Sequence, residues 1–101
     1  MYDIIPEPIQ FEWDKGNIDK NLTKHKVTIE EAEQVFYNEP SVLIEEGVRS
    51  RSVEKRFLIL GRSDKERLLG IIFTVREEKI RIISARPMSR KERKQYAKEK
   101  I

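Results

Sequence analysis

Three apolar runs follow one another in the second half of the chain: Phe57-Leu58-Ile59-Leu60, Leu68-Leu69-Gly70-Ile71-Ile72-Phe73 and Ile80-Arg81-Ile82-Ile83. The segments between them, Ser63-Asp64-Lys65-Glu66 and Glu77-Glu78, are short and charged. Connections of that length join antiparallel neighbours, because a parallel pair needs a crossover of about a dozen residues or more. The pattern predicts strands over Lys55–Arg62, Arg67–Arg76 and Lys79–Arg86 in a meander. Neither connection has Asn-Gly chemistry, so the turns leave the register open. With 39% of its 101 residues charged and 38% hydrophobic, the chain draws its core from these runs and forms one domain.

The remaining segments supply the cover. Met1 to Gln10, with Pro6 and Pro8, reads as an extended arm, and Phe11-Glu12-Trp13 as a short strand. Asp14 caps a helix over residues 15–24, with Ile18 and Leu22 on one face. Thr28-Ile29-Glu30-Glu31 opens a second helix as a capping box, burying Ile29, Ala32, Val35 and Phe36 and stopping at Asn38-Glu39-Pro40. Val42-Leu43-Ile44 begins a strand, followed by a charged loop from Glu45 to Glu54. Pro87 ends the last strand, and Ser89 to Glu92 is another capping box, opening a basic C-terminal helix. The expectation is α+β: residues 1–10 as an arm, then one domain over 11–101. Two N-terminal helices pack on an antiparallel meander, and the basic helix follows.

Charge is unevenly placed. From Arg76 onward there are ten Lys/Arg against four Glu, a formal +6, whereas the first 75 residues carry eleven basic and fourteen acidic residues, a formal −3. Such a positive pole suits a polyanion, either nucleic acid or an acidic protein surface. There is no cysteine, which removes disulfides and thiolate metal sites and fits a reducing cytoplasm. No apolar run approaches the roughly 20 residues of a membrane span, and the acidic start of the chain is unlike a secretory signal.

Register decides which arginines meet. With residues 63–66 as a four-residue loop and Glu77-Glu78 as a two-residue turn, Arg62 faces Arg67 and Leu69 faces Arg86. Leu58, Leu60, Leu69, Ile71, Phe73, Val75, Ile80 and Ile82 then share the core face, and Arg62, Arg67 and Arg86 lie at one end of it. Arg76, Lys79 and Arg81 fall on the other face. Guanidinium groups beside a core need anions, either a phosphate or ordinary Glu and Asp partners. His25, flanked by Lys24 and Lys26, is either dipole compensation at a helix end or a proton-transfer residue. Tyr96, beside Arg93 and Lys94, either anchors its helix or stacks on a base.

Two blocks go beyond patterning. Phe11-Glu12-Trp13-Asp14, Asn21-Leu22-x-Lys24-His25 and Val27-Thr28-Ile29-Glu30-Glu31-Ala32 resemble the N-terminal signature of BrnT-type toxins. Phe57-x-x-Leu60-Gly61-Arg62-Ser63 and Ile80-Arg81-Ile82-Ile83-Ser84-Ala85-Arg86-Pro87, leading to Arg90-Lys91-Glu92-Arg93-x-x-Tyr96, resemble its C-terminal signature. The resemblance implies a RelE-like fold and ribonuclease toxicity that inhibits translation. It also implies neutralisation by a BrnA-like ribbon-helix-helix antitoxin, with operator DNA bound only through the complex. It places functional positions at Lys24, His25, Arg62 and Arg86, with Arg81 and Tyr96 beside them. Lys26 departs from the Gly the family usually has after the His.

Metal-free cleavage of RNA needs a base for the 2′-OH, charge stabilisation on the phosphorane and an acid for the 5′-oxygen. The expected roles are Lys24, His25, Arg62 and Arg86 in catalysis, and Arg76, Arg81, Arg90, Arg93, Lys94 and Tyr96 in holding RNA. No metal and no cofactor are expected. A non-catalytic module that binds RNA or a partner through the basic quarter is the alternative, and a structural subunit of a complex is a third reading.

Overall fold

The computed structural model describes residues 4–48 and 55–99. In chain order the elements are β1 (Phe11–Trp13), α1 (Lys15–His25), α2 (Ile29–Gln34), β2 (Val42–Val48), β3 (Lys55–Arg62), β4 (Leu68–Arg76), β5 (Lys79–Pro87) and α3 (Arg90–Glu99). They build a five-stranded sheet of order β1-β5-β4-β3-β2. The α+β class agrees with the sequence, and β2 to β5 form the expected meander. The sheet as a whole is mixed, because β1 adds to the free edge of β5 in parallel, Phe11 opposite Ile80 and Trp13 opposite Ile82. β1 and β2 therefore occupy opposite edges, and the chain between them, carrying α1 and α2, must cross the sheet. β2 also runs further than expected, through Val48, into the segment predicted as loop. Residues 49–54 of that loop lie outside the described residues.

The β3–β4 turn corrects the expected register. Glu66 N–H donates to Ser63 O, Ser63 N–H donates to Arg67 O, and Glu66 has φ 67°. This is a three-residue loop, a tight turn closed by a left-handed residue. Arg62 consequently faces Leu68 and not Arg67. A one-residue slip turns every β3 side chain to the other face relative to β4. Leu58 and Leu60 leave the face of Leu69, Ile71 and Phe73, and their places are taken by Phe57 and Ile59. Glu77 and Glu78 do form a two-residue turn, both with positive φ, so Arg76 faces Lys79 and Thr74 faces Arg81 as expected. A bulge then intervenes at Ile83: Phe73 faces Ile82 but Ile72 faces Ser84, and Gly70 faces Arg86. Arg81 and Arg86, expected on opposite faces, therefore share one.

Both sheet faces are used. On one, Phe57, Ile59, Leu69, Ile71, Phe73, Ile80, Ile82 and Ala85 pack with Val27, Ala32, Val35 and Phe36 from the helical side, joined by Ile5 from the N-terminal segment. Phe36 sits edge-on to both Phe11 and Phe73, with ring centroids 5.3 and 5.0 Å apart. On the other, Val42, Leu58 and Leu60 pack with Met88 and Tyr96, so α3 covers this face. The core is thus two layers, not the single face read from the sequence.

The helix ends follow their side chains. Asp14 Oδ1 accepts from the Gly16 and Asn17 amides and caps α1. Its buried residue is Asn21, 2% exposed, while Leu22, expected on one face with Ile18, stands 49% exposed, so that face is not the one the helix buries. Thr28 caps α2 by accepting from Glu31 N–H. Only that half of the capping box forms, because the Glu31 carboxylate turns inward to Ser63 and Arg67. At Ser89 both halves form: Glu92 N–H donates to Ser89 Oγ and Ser89 N–H to Glu92 Oε1.

Candidate active site

Arg86 leaves the end of β5 on the α3 face and crosses Gly70. A Cβ at Gly70 would lie 3.0 Å from Arg86 Nη1, tighter than ordinary van der Waals contact, so glycine gives the guanidinium room against the sheet. There Arg86 donates from Nη1 and Nη2 to the two oxygens of Glu92, at 2.6 and 2.9 Å. The paired hydrogen bonds hold the Glu92 carboxyl below its usual range despite its burial, and raise the pKa of Arg86. Glu92 thus does two jobs, closing the α3 capping box and presenting a carboxylate to Arg86. Its position three residues after Ser89 signalled the first; nothing in the sequence signalled the second.

His25 closes α1 beside the same end of β5. Asn21 accepts a hydrogen bond from Ala85 N–H at 3.2 Å and pins the helix next to Arg86. His25 follows Asn21 by one helical turn, so it projects from the same side. Its partial burial lowers the imidazole pKa below the usual 6.5, and the charges of Lys24, Arg86 and Lys20 lower it further. The His25 carbonyl accepts from Arg67 Nη2 at 3.5 Å, which fixes this end of the helix. The chain turns away from α1 at Lys26, whose φ of 58° is left-handed. Lys26 N–H donates to Leu22 O, the bond of the αL cap in which glycine is the usual residue, and Val27 N–H donates to Asn21 O. Lys26 adopts the glycine conformation, so this departure leaves the helix end intact.

Arg62 lies on the face of Arg86, but two strands away and two residues along, roughly 12 Å by strand spacing and rise. It donates to Glu66 Oε1 at 2.6 Å and to Glu39 O at 2.9 Å. Tyr96 is its neighbour: buried, it donates to Pro40 O at 2.7 Å, and burial raises its hydroxyl pKa against the lowering charge of Arg62. The Tyr96 position thus serves as an anchor for α3. Arg67, the third arginine expected in this cluster, is on the other face. It donates to Glu31 Oε1 at 2.6 Å and to the Lys26 carbonyl at 2.9 Å, holding the end of α1.

A protein-family model described as the ribonuclease toxin, BrnT, of type II toxin–antitoxin systems matches residues 13–92. The chain belongs to the BrnT family. Its fold is similar to that of the crystal structure of the Brucella abortus ribonuclease toxin, BrnT, with a TM-score of 0.53 and 18% sequence identity over 81% of this chain and 99% of that one. No curated protein sequence matches the chain significantly.

The remaining positions proposed for this BrnT-family chain fall into two further places. Arg90, Arg93 and Lys94 are exposed on α3, turned away from the Glu92 and Tyr96 side that meets the sheet. Arg76 and Arg81 lie at the opposite end of the sheet from the α3 contact, with Arg56 beside them. The fold therefore sets the end of α1 beside β5, where the Arg86 charge reaches His25, keeps Arg62 and Tyr96 as a separate pair, and sets the two basic groups apart.

Proposed function

We propose that this ribonuclease toxin has a RelE-like mechanism and cleaves RNA without a metal ion, using His25 and Arg86 as the reacting pair. The observation that carries the reading is the Asn21–Ala85 bond, which holds the end of α1 against β5 one residue before Arg86, so that the Arg86 charge reaches the His25 imidazole. Neutral His25 accepts the proton of a ribose 2′-OH, and the 2′-oxygen attacks the adjacent phosphorus. Arg86 and Lys24 stabilise the charge on the phosphorane. The P–O5′ bond breaks and the 5′-oxygen takes up the proton that His25 has accepted, leaving a cyclic phosphate. Arg62 holds a neighbouring phosphate. Arg76, Arg81, Arg90, Arg93 and Lys94 steer and hold the rest of the strand, and Tyr96 fixes the helix that carries three of them.

The cations nearest His25 are guanidinium and ammonium groups, which supports charge stabilisation by side chains alone. Glu92 occupies the fork of Arg86 that a phosphate would use, so RNA must displace it or share the guanidinium, which has donors to spare. The activity inhibits translation in the cytoplasm and is neutralised by a BrnA-like ribbon-helix-helix antitoxin. Operator DNA is engaged only through that complex. Purified protein with end-labelled RNA in excess EDTA is the test. Cleavage should persist, and His25→Ala or Arg86→Ala should each lower its rate about 10²–10³-fold. A His25→Ala/Arg86→Ala double variant that cleaves normally would overturn the assignment.

A further inference from the structure

We propose that a pocket formed by Arg56, Arg76 and Arg81 is a second phosphate site for the RNA strand. The proposal rests on the ribonuclease reading above and extends the binding track to a defined place. The pocket, of about 250 Å³, is lined by Asn17, Arg56, Thr74, Arg76, Arg81 and Ile83, with no acidic side chain among them.

Arg56 and Arg81 are matched differently from Arg62, Arg67 and Arg86, each of which has a carboxylate oxygen at 2.6 Å. The side chain of Arg81 is as covered as that of Arg86, 28% against 27% exposed, yet its carboxylate is Asp14 at 3.8 Å. The other oxygen of Asp14 is already committed to capping α1. Arg56 has no ion pair among the described residues. A partly covered guanidinium without a close anion is electrostatically incomplete, and a phosphodiester supplies the missing charge with matching geometry.

The bulge at Ile83 sets the direction of the strand. By restoring Arg81 to the face of Arg86, it aligns this pocket with Arg86 along one side of the sheet. Their β4 partners, Thr74 and Gly70, are four residues apart, about 13 Å at a rise of roughly 3.3 Å per residue. A short single-stranded segment spans that distance. Buried Thr74 fixes the floor by donating to Lys55 O at 2.8 Å.

The test uses full-length His25→Ala protein, so that RNA survives, and fluorescence anisotropy with a dinucleotide and with a longer single strand. Arg56→Gln/Arg81→Gln should weaken binding of the longer strand and spare the dinucleotide. The slope of log affinity against log salt should fall by about 1.4, two contacts at about 0.7 each. Arg56→Lys/Arg81→Lys should restore most of the slope. Unchanged strand affinity and slope in the Gln variant would overturn the proposal, as would retained RNA binding with loss of the antitoxin complex. If native protein leaves RNA uncut while the Gln variant still loses the longer strand, the mechanism falls and the phosphate site stands. If native protein cuts but strand binding is unaltered, the reverse holds.

Discussion

Single residues show where local chemistry and function meet. Lys26 takes the left-handed conformation at the end of α1, which costs a non-glycine residue roughly 1–2 kcal/mol. Lys26→Gly should therefore raise the unfolding free energy by about 1 kcal/mol, measured as a higher urea midpoint with an unchanged slope. His25 carries a pH signature. Its folded pKa lies below the ordinary 6.5, so the unfolded chain binds the proton more readily. The associated stability is fully present above pH 6.5 and is lost as pH falls below it towards the folded pKa. The same shift places the acid limb of cleavage below 6.5, and Lys24→Gln should move it upward; a pH–rate profile with no such movement would separate Lys24 from His25. The candidate positions themselves were legible, because Lys24, His25 and Arg86 belong to sequence blocks. Their company was not, since Glu92 and Gly70 meet Arg86 only through a strand, a turn and a helix.

At the scale of elements, α3 is a weakly apolar helix held by specific contacts. Its inward side offers Tyr96, with Met88 just before the helix, and its outward side is basic. The Glu92 bonds to Arg86 and Ser89 thus matter to its docking. Glu92→Gln keeps a capping-box side chain but removes the charge opposing a phosphate. It should lower stability by about 2 kcal/mol while tightening RNA binding, read by denaturation and by anisotropy. Weaker RNA binding in the variant would count against competition between Glu92 and phosphate. The folded Glu92 pKa is depressed below 4.5, so this docking contribution is present above that value and disappears as pH falls through the lower folded pKa. Element identities were readable from apolar runs and caps. Face assignment failed at two places, the three-residue β3–β4 loop and the Ile83 bulge, because each shifts pairing by one residue and strand periodicity is two.

For the whole molecule, the arginines divide into those that build the fold and those that face outward. Arg67 joins the β3–β4 hairpin to the end of α1 and, through Glu31, to the start of α2. The Glu31 side chain is only 10% exposed, so removing its partner strands a buried carboxylate, although Arg67 itself is 36% exposed. Arg67→Ala should cost about 2 kcal/mol, less than a fully buried pair would, visible as a lower thermal midpoint. An unchanged midpoint would return Arg67 to the candidate binding residues. The outward arginines instead make a basic surface on α3 and a pocket at the far end of the same sheet face.

Sequence alone determined the family, the α+β class, the order of strands and helices, the two N-caps that begin α1 and α2, and the charge asymmetry. All of these are carried by residue identity and near-neighbour spacing. Tertiary structure decided that β1 closes the β5 edge in parallel, that the core has two layers, and that Arg86 is paired with Glu92 on one face while Arg67 holds the end of α1 from the other. Those outcomes depend on pairings between distant segments, in which one inserted or turned residue exchanges the faces of an entire strand.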